Sequence, residues 1–349
     1  MPQSYAYPNP VLPDAFFKTG PFAYLRALNA NRRFSKRRAR LAMSDPTLRR
    51  FNLAPPRALR ADDIPLVFLC HNDRAFLPSF LAHYRGLGVT RFICVDDAST
   101  DESQAYLEAE PDVDLWISDL RYGAANRGRL WRESLFEIYG RHRWYVNVDA
   151  DEYLVYQSCA ERPLSRLIDR LQALGITRLS APMIDFYPAG PVGDFIFSGD
   201  SRVMPWEVAT HYDVAGYDLS RSSISLQVRG GPRRRIFGAD VQLIKFPLLY
   251  WDDACSLGTS IHHPIPFQQN FAPIAGVLLH FKFFAGVSAR FERISSNGQH
   301  FGGAEHYKLM LGHMEDLNRL DFTDSVSHRF ADPDSMVEEG FMRSLWPVL

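Results

Sequence analysis

The chain has 349 residues, 46% hydrophobic, 23% charged and 13% aromatic, a usage that fits one large or two small packed domains and excludes a disordered chain. The formal net charge of −1 hides an asymmetry, because residues 1–60 carry 12 Lys and Arg against two acids and the remainder sums to −11. The longest apolar run, Ala272 to Val287, is broken by His280 and Lys282, which excludes the membrane span of roughly 18–20 residues.

The start of the chain lacks a basic segment followed by an apolar one, so no secretory signal is expected. Cys70, Cys94, Cys159 and Cys255 form no CxxC, which argues against a zinc cluster or disulfide framework and for a reducing, cytoplasmic setting. Residues 1–20 are Pro-rich and predict irregular structure. Residues 21–43, PFAYLRALNANRRFSKRRARLAM, predict a basic helix with Phe22, Tyr24, Leu25, Leu28, Phe34 and Leu41 interspersed. Such a helix suits an anionic membrane surface at the inner face or packing on the acidic body. Nucleic acid is the weaker alternative, and no nucleic-acid partner is expected. Residues 53–63 read as a linker, so 1–62 form a basic N-terminal extension.

From Ile64 strands and helices alternate. Strands are expected at Pro65–Cys70, Arg91–Val95, Val113–Ile117, Trp144–Val148 and Arg178–Ile184. Helices are expected at Leu77–Gly86, from a Ser99 or Thr100 cap to about Ala109, at Asn126–Tyr139 and at Pro163–Leu174. That alternation predicts an α/β fold with a mostly parallel sheet covered on both faces. Residues 63–330 make this domain, with a nucleotide-binding half at 63–156 and a looser acceptor-side half at 157–330. Residues 331–349 are left as a tail.

Two acidic clusters follow strands: Val95-Asp96-Asp97-Ala98-Ser99-Thr100-Asp101 and Val148-Asp149-Ala150-Asp151-Glu152. In a parallel sheet the strand C-termini share one edge, where ligands bind, so both clusters should meet in one crevice. Asp149 and Asp151 alternate around Ala150, which lets an extended backbone aim both carboxylates at one hard cation, Mg²⁺ or Mn²⁺. Asp96 and Asp97 could accept from a nucleobase or a ribose hydroxyl. The bland alternative for each cluster is turn chemistry or helix capping.

VDDASTD is similar to the VDDGSTD-type motif of family 2 glycosyltransferases with the GT-A fold. LVFLCHNDRAFLPSFLAHYRGLGVTRFICVDDASTD and WYVNVDADEYLVY resemble a bacterial subgroup with a Glu after the DxD, as do GGPRRRIFG (230–238) and LLHFKF (278–283). One departure is Asp73 in His71-Asn72-Asp73, where the subgroup more often has Glu. The resemblance covers roughly residues 64–330. It implies a Rossmann-like sheet flanked by helices and a metal-dependent, inverting transfer of a sugar from a nucleotide diphosphate, UDP first, to a glycan or lipid-linked acceptor. It implies Asp97, with Asp96 beside it, on the base; Asn72 lining the base and ribose pocket; and Asp149 at the ribose or the metal's water shell. Asp151 would be the direct metal ligand, with His280 as a further ligand and His262 or His263 as alternatives to it. Arg127 and Arg129, flanking Gly128, would face the diphosphate at a helix start.

Arg233, with Arg234 and Arg235 after Gly230-Gly231, could bind donor or acceptor phosphate or sit in an exposed hairpin turn. An inverting transferase needs a general base; Asp185, Glu207, Asp252 and Asp253 are candidates, whereas Glu315-Asp316 lies too near the C-terminus. His300, His306, His313 and His328 show no ligand spacing. Trp206, Tyr212, Trp251 and Phe267 could stack on sugar or fill the core. The rival readings are a sugar-1-phosphate nucleotidyltransferase, which would need a Gly-rich loop where CHNDRAFL stands, and an inactive nucleotide- or glycan-binding protein.

Overall fold

PLVFLC and RFICVD are apolar on both alternations, as strands buried on both faces must be. A computed structural model describes residues 4–18, 20–41, 47–200, 202–258, 260–297, 309–312 and 317–346. His300, His306, His313, Glu315 and Asp316, and the side chains of Phe22 and residues 35–41, lie outside the described residues.

The chain opens with β1 (Ser4–Tyr7), α1 (Pro21–Leu41) and β2 (Arg49–Arg50). The alternating half follows: β3 (Pro65–Cys70), α2 (Leu77–Gly86), β4 (Arg91–Asp96), α3 (Ser103–Ala109), β5 (Val113–Ile117), α4 (Arg129–Tyr139) and β6 (Arg143–Asn147). Then come β7 (Glu152–Val155), α5 (Leu164–Ala173), β8 (Arg178–Phe186), α6 (Pro205–Val208), β9 (His211–Asp213), β10 (Tyr217–Arg221) and β11 (Leu226–Gly230). The last elements are α7 (Pro232–Phe237), β12 (Ile244–Trp251), β13 (Val277–Phe281), α8 (Val287–Asn297), β14 (Ser327–Arg329) and α9 (Ser335–Glu338).

The central sheet has nine strands in the order β2-β5-β4-β3-β6-β12-β8-β13-β7. β5, β4, β3 and β6 are parallel, the order 3-2-1-4 of a Rossmann-like half. β12 enters antiparallel between β6 and β8, and β13 lies parallel to β8 and antiparallel to β7. Six of the nine strands therefore point one way, the mostly parallel α/β sheet that the sequence leads one to expect.

Alternate side chains of these strands divide between two apolar layers. Leu66, Phe68, Phe92 and Cys94 pack under α2 and α5, against Phe80, Tyr84 and Leu167. Val67, Ile93 and Val95 pack on the other face under α4, against Trp131, Leu135 and Phe136. All of these are nearly or fully inaccessible to water.

Three expectations shift. Residues 1–20 hold a strand, since β1 pairs with β10 and the Tyr7 and Phe16 rings enter the main core. The helix expected from Asn126 starts at Arg129, because Asn126, Arg127 and Gly128 all have positive φ. Gly230 and Gly231 lead into α7 rather than a hairpin turn. Helix α1 turns Ala27, Asn31 and Phe34 onto the body: Asn31 Oδ1 accepts from Phe267 N at 2.9 Å and Phe34 meets Phe267 edge-on. Tyr24 and Leu25 remain exposed. No described helix is long and apolar enough to cross a membrane.

At the far end, Gly340 O accepts from Asn9 N, Phe341 O accepts from Tyr7 OH, and Arg343 donates to Asp14 at 2.5 Å. Phe341 and Met342 are buried in the main core, so the terminal stretch packs with the domain.

Candidate active site

The two acidic clusters lie on one sheet edge, past the C-terminal ends of β4 and β6, with β3 between them. Two strand spacings separate them, roughly 10 Å.

At the first cluster, Asp96 turns inward. Its Oδ2 accepts from Ser99 N at 3.0 Å and Gln104 Nε2 at 2.5 Å, which holds the turn before α3. Asn72, at positive φ, fastens the same turn, its Oδ1 accepting from Thr100 N at 2.6 Å and Asp101 N at 3.2 Å. Asp97 Oδ1 accepts from Arg121 Nε at 2.8 Å and Tyr122 N at 3.3 Å, leaving Oδ2 without a hydrogen bond among the described residues. Burial pushes the Asp97 carboxyl up despite Arg121.

Helix α4 is aimed at this edge by Gly128. A Cβ at Gly128 would stand 2.0 Å from Leu69 Cδ1, and its φ is +71°, so only glycine lets the helix start so close to the end of β3. The arginines around it divide. Arg127 is exposed. Arg129 is buried, donates to Gly258 O and lies 3.6 Å from Glu133. Arg132, one turn further and absent from the sequence expectations, reaches Asp149 Oδ1 at 2.5 Å and Asn147 Oδ1 at 2.6 Å.

At the second cluster, Lys245 of β12 donates to Asp149 Oδ2 at 2.6 Å and to Glu152 Oε1. Glu152 Oε2 accepts from Asp149 N at 3.1 Å, so both its oxygens are engaged. Burial alone would raise the Asp149 pKa; Lys245 and Arg132 outweigh it and hold Asp149 well below the usual carboxylate range. Burial pushes Glu152 up.

The strand register sets His280 of β13 beside Asp185 of β8 on one side and Glu152 of β7 on the other. His280 Nδ1 lies 2.6 Å from Asp185 Oδ1, and Arg233 Nε donates to Asp185 Oδ2 at 2.7 Å. Burial would raise the Asp185 pKa, but Arg233 and His280 bring it down to about 2. An ionised Asp185 only accepts, so Nδ1 of a neutral His280 carries the proton and Nε2 keeps its lone pair. Nε2 points to Asp151 Oδ2, 3.8 Å away. Lys282 and Arg290 donate to that same oxygen at 3.1 and 3.4 Å. Against the rise that burial alone would give, the Lys282 and Arg290 cations hold Asp151 ionised.

Donor atoms of Asp151, Glu152 and His280 lie within 4.8 Å of one another. Carboxylate oxygen with imidazole nitrogen suits Mn²⁺, and a carboxylate behind the imidazole is the usual support of a metal-binding histidine. Asp151 and His280 fit a divalent cation on these grounds. Glu152 shares that cluster, and its oxygens and those of Asp149 are engaged by Lys245, Arg132 and a backbone N–H.

Other expected residues lie elsewhere. Asp252 and Asp253 follow Trp251, which pairs with Arg143 at the start of β6, so they sit at the opposite sheet edge from Asp149 and Asp151. Glu207 caps its own helix through Met204 N. Trp251 packs on Phe136, Tyr212 stacks on Phe186, and Trp206 meets Tyr153 and Phe281. Arg234 and Arg235 pair with Asp218 and Asp213, at 2.7 and 2.8 Å. His262 lies behind Lys245, its Nδ1 2.8 Å from Ile244 O; burial and then Lys245 lower its pKa to about 3. His263 is pushed down to about 4 by burial. His328 lies 3.3 Å from Glu339 on the surface.

Sequence reasoning missed Arg132, Lys245, Lys282 and Arg290. A lone Lys inside the apolar runs IKFPLL and LLHFKF was the available signal, since an unpaired buried ammonium is costly.

No family model matches the chain, and no curated protein matches it. Among solved structures it is similar to glucosyl-3-phosphoglycerate synthase from Mycobacterium tuberculosis, at 20% identity over 38% of this chain and 47% of that one, with a TM-score of 0.24. The bifunctional glycosyltransferase WbbM matches at 14% identity over 38% of this chain and 25% of that one, TM-score 0.24. UDP-glucose pyrophosphorylase matches at 8% identity over 66% of this chain and 98% of that one, TM-score 0.30. At TM-scores of this size the likenesses carry no functional weight, and the reading below rests on the residues described above.

Proposed function

We propose that the chain is a glycosyltransferase that moves a sugar from a nucleotide diphosphate donor, UDP-linked in the first instance, to a hydroxyl of a glycan or lipid-linked acceptor. Inversion at the anomeric carbon is part of the proposal. The observation that carries it is the pairing, on one sheet edge, of Asp97 with the Arg233–Asp185–His280–Asp151 chain.

Asp97 Oδ2 accepts from the nucleobase, and the roughly 10 Å to the second cluster is spanned by the nucleoside. Asp149, fixed by Arg132 and Lys245, stands on the ribose side. Asp151 and His280 Nε2 hold Mn²⁺ or Mg²⁺. When bound there, the cation supplies positive charge against the departing diphosphate. Asp185 keeps the His280 tautomer and is too buried, with both oxygens engaged, to serve as the base. Arg127, exposed just before α4, meets the donor phosphates; Arg129 and Arg233 are buried.

A sugar-1-phosphate nucleotidyltransferase fits less well: its Gly-rich loop would stand where His71–Ala75 read HNDRA.

Calorimetric titration with UDP, GDP and CDP, each with and without Mn²⁺, tests the proposal. Metal-dependent binding of one nucleotide, lost in Asp151→Ala, is the expected result. A folded protein that binds none of the three would sink it.

A further inference from the structure

Lys282 follows the end of β13, two residues after His280, and Arg290 projects from α8. Neither has a role in the reading above. Both donate to Asp151 Oδ2, the oxygen that also faces His280 Nε2. The Asp151 side chain is 9% exposed, whereas those of Lys282 and Arg290 are 14% and 26% exposed, so the cations reach the carboxylate from the more open side.

A buried carboxylate needs a counter-charge, and here two protein cations supply it. A divalent ion bridging Oδ2 and Nε2 must take the same oxygen. The ammonium and guanidinium it displaces lose that carboxylate as counter-charge, and an anion beside the ion restores it. A diphosphate beside the ion is that anion, and a guanidinium fits its oxygens in a bidentate manner. Arg290 already reaches a second partner, Asp73 Oδ1 at 3.5 Å, which keeps it near the crevice.

We propose that Lys282 and Arg290 are diphosphate-binding cations held on Asp151, and that divalent metal and nucleotide diphosphate bind with positive coupling because each frees the other's ligands. The inference rests on the glycosyl-transfer reading and adds the donor-binding cations and the coupling between metal and diphosphate. By linkage the coupling is reciprocal: the metal alone binds weakly, and the diphosphate raises its affinity by the factor that the metal raises the diphosphate's.

The test uses the full chain with two probes, Mn²⁺ alone followed by electron paramagnetic resonance and preformed Mn²⁺–pyrophosphate followed by calorimetry. Lys282→Met and Arg290→Gln are expected to bind Mn²⁺ alone roughly tenfold more tightly and Mn²⁺–pyrophosphate roughly tenfold more weakly, a shift of ordinary coupling size. Asp151→Asn is expected to weaken both. Opposite signs in one folded variant cannot come from general damage. Changes of the same sign, or none, in both variants would overturn the inference while leaving the Asp151 result standing. A wild type that binds neither probe, or an Asp151→Asn protein that binds both normally, removes the metal reading and this inference with it. Arg290→Lys serves as a second variant if Arg290→Gln does not fold.

Discussion

Asp185 has its two carboxylate oxygens divided between His280 and Arg233, and this decides its role. A base must reach solvent or substrate; Asp185 is 2% exposed and reaches His280. In the proposed reading it is a positioning residue. Asp185→Asn keeps the shape but offers the imidazole an amide in place of a full negative charge. Mn²⁺ affinity should fall roughly 10–100-fold, as for other supports behind metal-binding histidines. In a His280→Gln background the Asp185→Asn change should have no further effect on that affinity. Paramagnetic resonance of bound Mn²⁺ reads both. The two acidic clusters were visible in the sequence because each follows an apolar strand, and a parallel sheet brings such strand ends to one edge. Their counter-ions were not. Lys245 lies 93 residues from Glu152 and Arg290 lies 139 from Asp151, so only the strand pairing brings them together.

At the scale of elements, the strands of the parallel half were readable to within a residue, whereas α3 and α4 begin later than expected, at Ser103 and Arg129. Its strands are buried on both faces and read as unbroken apolar runs, and Gly140 and Gly175 punctuate its helices. The later half was not, because β12, β8, β13 and β7 are neighbours only through long crossovers. Strands as short as β2 leave no periodicity to find. Helix α4 depends on one position. Gly128→Ala should cost roughly 1–3 kcal/mol, from a left-handed backbone and a clash with Leu69. Denaturant unfolding of that variant and of Gly128→Ala with Leu69→Ala checks this; the second change should return only the clash, leaving the backbone cost.

For the molecule as a whole, the charge asymmetry of the sequence suggested a basic arm on an acidic body, and residues 47–62 supply one visible form of that contact. Arg50 and Arg57 reach the fully buried Asp114 at 2.8 and 2.6 Å, and Tyr139 OH donates to its other oxygen. The first seventeen residues place Tyr7, Leu12, Phe16 and Phe17 in the main core. Tyr7→Ala is therefore expected to cost roughly 3–5 kcal/mol, the price of an emptied aromatic site, read as a lower denaturation midpoint with unchanged secondary structure. A membrane test by truncation would measure that damage instead. Replacing the exposed Arg26, Arg32 and Arg33 by Gln and sedimenting with anionic vesicles isolates the surface charge of α1.

The contacts that tie Tyr7 and Asp14 to Phe341 and Arg343 join residues 334 and 329 positions apart, and Asn9 meets Gly340 beside them. A ribosome emits β1 long before its seat exists: β10 begins only at Tyr217, and the Phe341 carbonyl follows later still. The Rossmann-like half can close while synthesis continues, but Ser4–Tyr7 waits beside it, unseated, until β10 and Phe341 have emerged. Seating of β1 is thus a late step, following synthesis of both the strand and the carbonyl that receive it.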